Sequence, residues 1–426
     1  MRKMKDSGIT WIKEIPETWN VQRGKNILTL MKRSPEGYDE VITCFRDGEV
    51  TLRSNRREDG FTFSDKEIGY QGIEKGDLVI HGMDGFAGAI GISDSCGKGS
   101  PVLVVCTTKN NSKFLMYYLR MLATQNVFVA MATGIRERSC DLRWNKIADL
   151  LFPIPTINEQ KQIADYLDEK CSKIDDIIAR QEEIIEKLKE YKLSIITEAV
   201  TKGLNSKAEM RNSGICEIGD VPKTCKITKL KYICNTQGRI GFKGYTTADL
   251  VDEGEGAYTL GASHMNNGKV DLSSPVYISW EKYYESPEIM VKKNDLLIVQ
   301  RGSTIGKVAI VDKDYGELTI NPSLVLINKI TINSKYLLYA LSARYIVNYI
   351  ALIGTTTAIP MISQKQINEL QVVLPSSDQQ RMIVEYLDEK CSRLDKTIND
   401  RQRVIEKWSE YKKSLIYEVV TGKKEV

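Results

Sequence analysis

Histidine is almost missing from this chain. His81 and His264 are the only two in 426 residues, and neither has an acidic or metal-binding neighbour in sequence. That argues against histidine-based zinc sites and against Ser-His-Asp or Cys-His catalysis. The nine cysteines form no CxxC pair and sit mostly in apolar settings, such as Val105-Cys106 and Ile233-Cys234. They read as reduced, buried thiols of a cytosolic protein. No GxxxxGK[ST] loop is present, since Gly302-Ser-Thr-Ile-Gly306-Lys307 is one residue short and lacks the final hydroxyl. HExxH, a nucleophile elbow and the Asn/Asp-Pro-Pro-aromatic tetrapeptide of adenine methylases are missing as well. No apolar run approaches the ~18 residues of a membrane span, and the Met1–Asp6 opening lacks an apolar signal core. The expectation is a cytoplasmic protein, neither secreted nor membrane-spanning, with no catalytic and no metal-binding residues. It reads as a binder rather than an enzyme.

What the chain does contain is itself, twice. Tyr166-Leu-Asp-Glu-Lys-Cys-Ser172 returns as Tyr386-Leu-Asp-Glu-Lys-Cys-Ser392, and 20 of the 36 positions from Tyr166 to Thr201 are identical in the second copy. A period of about 220 residues far exceeds a solenoid repeat. Each unit also opens alike, Ser7-Gly-Ile9 through Pro16 matching Ser213-Gly-Ile215 through Pro222. Fainter matches lie between, as in Asp77-Leu-Val-Ile80 with Asp295-Leu-Leu-Ile298 and Ser112-Lys-Phe-Leu115 with Ser334-Lys-Tyr-Leu337. Two similar tools on one chain suit a partner that is itself roughly two-fold, and double-stranded DNA leads. The formal charge of +4 and pI near 8.4 permit nucleic-acid binding without requiring it.

The units read as mixed α/β. Short apolar runs punctuated by Gly and Asp (Val102–Cys106, Leu296–Val299, Val308–Val311, Leu324–Ile327) predict strands. One helix follows in each unit, over Lys113–Ala123 and Lys335–Asn348. Pro-containing linkers at Pro153–Pro155 and Pro375 then lead into a long helix, with Asn158 or Asp378 suited to capping it. The expected division is a first recognition domain over 1–157, a long helix over 158–206, a second domain over 207–376 and a second long helix over 377–426. The seam Leu167, Cys171, Ile174, Ile178, Gln181, Ile185, Leu188, Lys192 alternates steps of four and three, as does Leu387 to Lys412 in the copy. That spacing predicts a coiled coil with polar residues at matching places, which can fix register. Each helix packing on its own domain instead is the alternative.

Two pairs of loops could touch a ligand. His81-Gly82-Met83-Asp84 follows the strand ending at Ile80, and Gln300-Arg301-Gly302-Ser303-Thr304, with Lys307, follows Val299. Glycine lets a backbone approach a ligand closely. Arg301 can pair with guanine O6 and N7, Gln300 with adenine N6 and N7, while Ser303, Thr304 and Lys307 suit phosphates. An ordinary β-turn also accounts for such loops. Downstream lie Arg136, Arg138 and Arg143 in the first unit and Thr355, Thr356 and Thr357 in the second. Arg53, Arg56 and Arg57, and Arg239 with Lys243, form further cationic patches that are either phosphate contacts or solvated charge runs.

The duplicated Tyr-Leu-Asp-Glu-Lys-Cys helix starts, the Pro-rich entries followed by Glu159-Gln160 and Gln379-Gln380, and the Arg301-Gly-Ser-Thr-Ile-Gly-Lys-Val308 loop resemble the specificity subunit of a type I restriction–modification system. The resemblance covers essentially the whole chain. It implies two target recognition domains joined by two long antiparallel coiled-coil helices, an internal pseudo-two-fold duplication. It further implies a split, asymmetric DNA target, two methyltransferase subunits docked on the helices, and ATP-dependent restriction subunits. S-adenosylmethionine, ATP and magnesium belong to those partners and no cofactor to this chain. Its first loop departs from the pattern, with His-Gly-Met-Asp in place of Arg-Gly-Ser-Thr. A self-contained methylase-endonuclease and a coiled-coil assembly protein are the alternatives.

Overall fold

The computed structural model describes residues 2–56, 68–131, 142–239, 244–354 and 359–426. The chain forms two compact units. One comprises 1–182 with 402–426, the other 183–401, so each long helix lends its first part to one unit and its remainder to the other.

In the first unit a four-stranded antiparallel sheet runs in the order Leu28–Leu30, Leu103–Thr108, Leu78–His81, Ile90–Ile92. Its strand Leu78-Val79-Ile80 is apolar throughout because both faces are covered. Leu78 and Ile80 enter the large core with the helix Ser112–Thr124, while Val79 enters a smaller cluster with Ile42, Val50 and Val105. The second unit repeats the device. Leu296 and Ile298 face the helix-side core and Leu297 and Val299 the opposite one, in a six-stranded sheet. It adds a second sheet of four strands, Leu250–Val251, Tyr277–Ser279, Gly256–Leu260 and Leu318–Ile320. The predicted helix over Lys335–Asn348 is two helices, Ser334–Leu341 and Arg344–Gly354, interrupted at Ser342-Ala343. In both units an asparagine caps the first domain helix. Asn111 Oδ1 accepts from Phe114 N and Asn333 Oδ1 from Tyr336 N, each at 3.0 Å.

The long helices span Ile157–Lys202 and Ser377–Val420. Asn158 and Asp378 are not the caps. Thr156 Oγ1 accepts from Glu159 N and Ser376 Oγ from Gln379 N, both at 3.4 Å. The pairing within each unit is antiparallel. In the first, Ile163, Leu167, Cys171 and Ile174 pack with Leu415, Val419 and Val420. In the second, Ile196, Ala199 and Val200 share a core with Ile383, Val384, Leu387 and Cys391. The repeated seam lysines find equivalent partners: Lys412 Nζ lies 2.6 Å from Asp175, and Lys192 Nζ 2.6 Å from Asp395. Each pair holds a helix register within its own unit.

The repeated Tyr-Leu-Asp-Glu-Lys-Cys motif acquires a reason here. Its leucine and cysteine are core residues. Its aspartate joins helix to domain, Asp168 accepting from Tyr117 Oη at 2.8 Å and Asp388 from Tyr339 Oη at 2.7 Å. Lys113 and Lys335 pair with the same two carboxylates. Burial pushes the Cys44 and Cys106 thiols up to about 12, which keeps them protonated.

One duplicated aspartate is unequally supported. Asp77 and Asp295 each accept a backbone N–H three residues back, from Glu74 and Lys292, at 2.8 Å. Asp77 is nearly fully buried and is gripped by both Arg33 amino groups. Asp295 has no such arginine among the described residues, and burial raises its carboxyl to about 6. A carboxyl raised on folding favours the protonated native state, so stability falls as pH climbs from about 4 to 6 and stays reduced above. Asp295→Asn keeps the acceptor and removes the charge. It should gain roughly 1 kcal/mol at pH 7.5, after discounting for partial solvent screening, and about a third of that at pH 4.5. Calorimetric melting at the two pH values checks this, and equal gains at both would reject it.

Candidate nucleic-acid interface

In the first unit the loop after Ile80 is tightly held. His81 Nδ1 accepts from Met83 N at 3.3 Å and Asp84 N at 3.0 Å, so the ring must carry no proton there. Burial lowers the His81 pKa and keeps the ring in that form. Asp84 is neutralised by Arg46 at 2.9 Å. Gly82 N donates to Val102 O, and a Cβ on Gly82 would come within 2.8 Å of that oxygen. On the other side Leu142 N donates to Gly82 O at 2.8 Å, tying the chain just before Arg143 to this loop.

The second unit has the same construction. Gln300 N donates to Ser323 O, Ile362 N to Gln300 O and Gly302 N to Pro360 O, all at 2.9–3.0 Å. The Gln300 carboxamide donates to Pro322 O at 2.9 Å, so it braces the neighbouring turn. Arg301 forms a β-bridge with Met361. In both units, therefore, the loop after the central strand meets the segment that follows the domain helices. These loops are separate in sequence, and folding brings their ends together.

A model of the type I restriction modification DNA specificity domain matches residues 64–190 and 208–407, once in each repeat. The chain belongs to that family. Among its relatives, a protein assigned as the MjaX type I restriction enzyme specificity subunit of Methanocaldococcus jannaschii is 26% identical, over 97% of this chain and 95% of its own. The MjaVIII type I restriction enzyme specificity subunit of the same organism is 23% identical over 96% and 93%. A chain from a structure described as the basis of complex assembly and conformational transition of the type I restriction–modification system has a TM-score of 0.68. It is 14% identical and covers 95% of this chain, a likeness of fold.

Each specificity domain has its own set of cations, and most are already engaged. Arg56 pairs with Asp47 at 2.5 Å and Glu49 at 3.0 Å and lies over the Phe45 ring. Arg53 Nε donates to Thr43 Oγ1 at 3.4 Å. Arg239 corrects the surface reading: it is 6% exposed, with Nε donating to Ile320 O at 3.0 Å and a terminal nitrogen to Thr319 Oγ1 at 3.1 Å. Its guanidinium fastens the second sheet, and burial lowers its pKa. Arg143, Arg301, Ser303 and Thr304 are exposed, and Lys307 is half-buried. Arg57, Arg136, Arg138, Lys243, Thr355, Thr356 and Thr357 lie outside the described residues. No single helix among the described residues is long and apolar enough to cross a membrane.

Sequence reasoning gave no role to two repeated features. The buried glutamines Gln160 and Gln380 hold the helix entries, and their repetition was the available signal. The other is Tyr191 with Tyr411, exposed by 59% and 49% at the same place on the two long helices. The return of Glu190-Tyr191-Lys192 as Glu410-Tyr411-Lys412 was the signal there.

Proposed function

We propose that this chain is the DNA-reading, non-catalytic subunit of a type I restriction–modification complex and that each specificity domain reads one half of a bipartite, asymmetric target. The observation that carries this is the pair of equivalently braced loops, which present unlike side chains from like backbones. Like backbones suit the same duplex geometry, and unlike side chains suit different base edges. The exposed tyrosines Tyr191 and Tyr411 support docking of two methyltransferase subunits at equivalent points on the helices, since exposed aromatics commonly anchor interfaces. On this reading S-adenosylmethionine, ATP and magnesium are held by the methyltransferase and restriction partners, the complex is cytoplasmic, and this chain supplies binding and orientation.

Arg301 is the side chain to test. It is exposed, and among the described residues no acceptor satisfies its guanidinium. Arg301→Ala in the assembled methyltransferase should relax one position of one half-site, at a cost of about 1–3 kcal/mol in discrimination, and leave the other half-site unchanged. Methylome sequencing reads this directly. Uniform weakening across all sequences would instead make Arg301 a phosphate contact.

A further inference from the structure

Which residue of the first domain stands where Arg301 stands is decided by hydrogen bonds rather than by sequence likeness. His81 N donates to Ala89 O as Val299 N donates to Lys307 O, and Ala87 N to Asp84 O as Ile305 N to Gly302 O. Leu142 N reaches Gly82 O as Ile362 N reaches Gln300 O. Gly88 and Gly306, with φ of 96° and 81°, close the two turns in the left-handed region. All these pairs set His81 opposite Val299 and Gly82 opposite Gln300. Met83 is then the counterpart of Arg301, and Asp84 that of Gly302.

Met83 is an unusual residue for that place. It is 55% exposed on a loop whose neighbours are all pinned. His81 Nδ1 holds the Met83 amide, Val102 and Leu142 hold Gly82, and Arg46 holds Asp84. A flexible thioether displayed on a rigid backbone contributes nothing to the core. It has no hydrogen to donate to guanine, so it cannot do what Arg301 can. What it offers is apolar, polarisable contact. In the major groove the apolar feature of a base edge is the thymine 5-methyl group.

We propose that Met83 is the specificity-determining residue of the first domain and that it selects thymine by packing on its methyl group. This rests on the reading of both domains as readers of DNA. The two half-sites then differ in chemistry at corresponding positions, one read by hydrogen bonds from Arg301 and the other by apolar contact from Met83.

The test uses the chain assembled with its methyltransferase partner. Methylome sequencing first gives the target, and each thymine of the first half-site is then replaced by deoxyuridine, which removes the methyl group alone. At one thymine, the replacement should weaken binding about fourfold for the parent, the worth of one buried methyl-sized group, and not at all for Met83→Ala. Losses equal in parent and variant at every thymine overturn the assignment of Met83, as does a first half-site whose thymines all tolerate the replacement. Met83→Arg adds a second readout, because it should favour guanine at the same position. If no sequence-specific methylation is found at all, the failure belongs to the DNA-reading function itself and not to Met83.

Discussion

If the target is bipartite as proposed, four residues inserted into both long helices, between Asp175 and Lys192 in one and between Asp395 and Lys412 in the other, should lengthen its unspecified run by one or two base pairs. The bases at its two ends should stay as they are. The four anchor residues form two ion pairs, Asp175 with Lys412 and Lys192 with Asp395, each within one unit. An insertion between the anchors leaves both pairs in place and keeps both apolar seams nearly in phase, with a shift of about 40°. Four residues add about 6 Å of helix, and one base pair spans about 3.4 Å. Lengthening one helix alone, for instance after Lys187, gives the added turn no partner and strains one of the two registers. Methylome sequencing of the double insertion beside the parent measures the spacing. Parental spacing in an active variant would show that the helices do not set the distance, and altered end bases would show that the domains do not read independently.

The largest loss of stability is expected from the two buried glutamines. Gln160 is 1% exposed and Gln380 is 4% exposed, at equivalent places in the first turn of each long helix. Gln160 accepts from Asn111 N at 2.9 Å and donates to Asn110 Oδ1 at 2.9 Å and Pro155 O at 3.0 Å. Gln380 accepts from Asn333 N and donates to Pro375 O, both at 3.0 Å. The carboxamide thus fastens three segments: the linker, the start of the long helix and the cap of the domain helix. Leucine matches its bulk but leaves buried donors and acceptors unpaired, at about 1–3 kcal/mol for each group that water cannot reach. Gln160→Leu should lower the stability of the first unit by about 2–4 kcal/mol, and Gln380→Leu that of the second by a similar amount. Hydrogen exchange followed by mass spectrometry resolves the two units separately. Losses below about 0.5 kcal/mol in both variants, or equal losses in both units from one variant, would reject this role.

The duplication, the mixed α/β units and the two long helices were legible in the sequence because each rests on local periodicity or direct repetition. A seam alternating steps of four and three marks one face of a helix, and a short apolar run such as Leu296–Val299, bounded by Asp295 and the glycine of the following loop, suits a buried strand, which the structure covers on both faces. The seam lysines were legible as polar positions, but their partners Asp175 and Asp395 were not, since each partner lies on the other helix more than 200 residues away. Helix caps were misplaced by two residues, because Thr156 and Ser376 compete with the neighbouring Asn158 and Asp378 and only backbone geometry chooses between them.

The candidate interface divides the same way. Glycine and exposed polar residues marked the loops after Ile80 and Val299, as local chemistry allows. The fate of each cation depended on what folding set beside it. Arg239 and Arg301 look alike in sequence, yet Arg239 is buried against Ile320 O while Arg301 stays exposed. Likewise, matching glycines suggested His-Gly-Met-Asp for Arg-Gly-Ser-Thr, whereas the backbone hydrogen bonds put Met83 opposite Arg301. Sequence by itself determined that this chain holds two helix-linked copies of one design. The tertiary structure decided which side chains remain free to meet a partner, because that depends on long-range neighbours that no local pattern encodes.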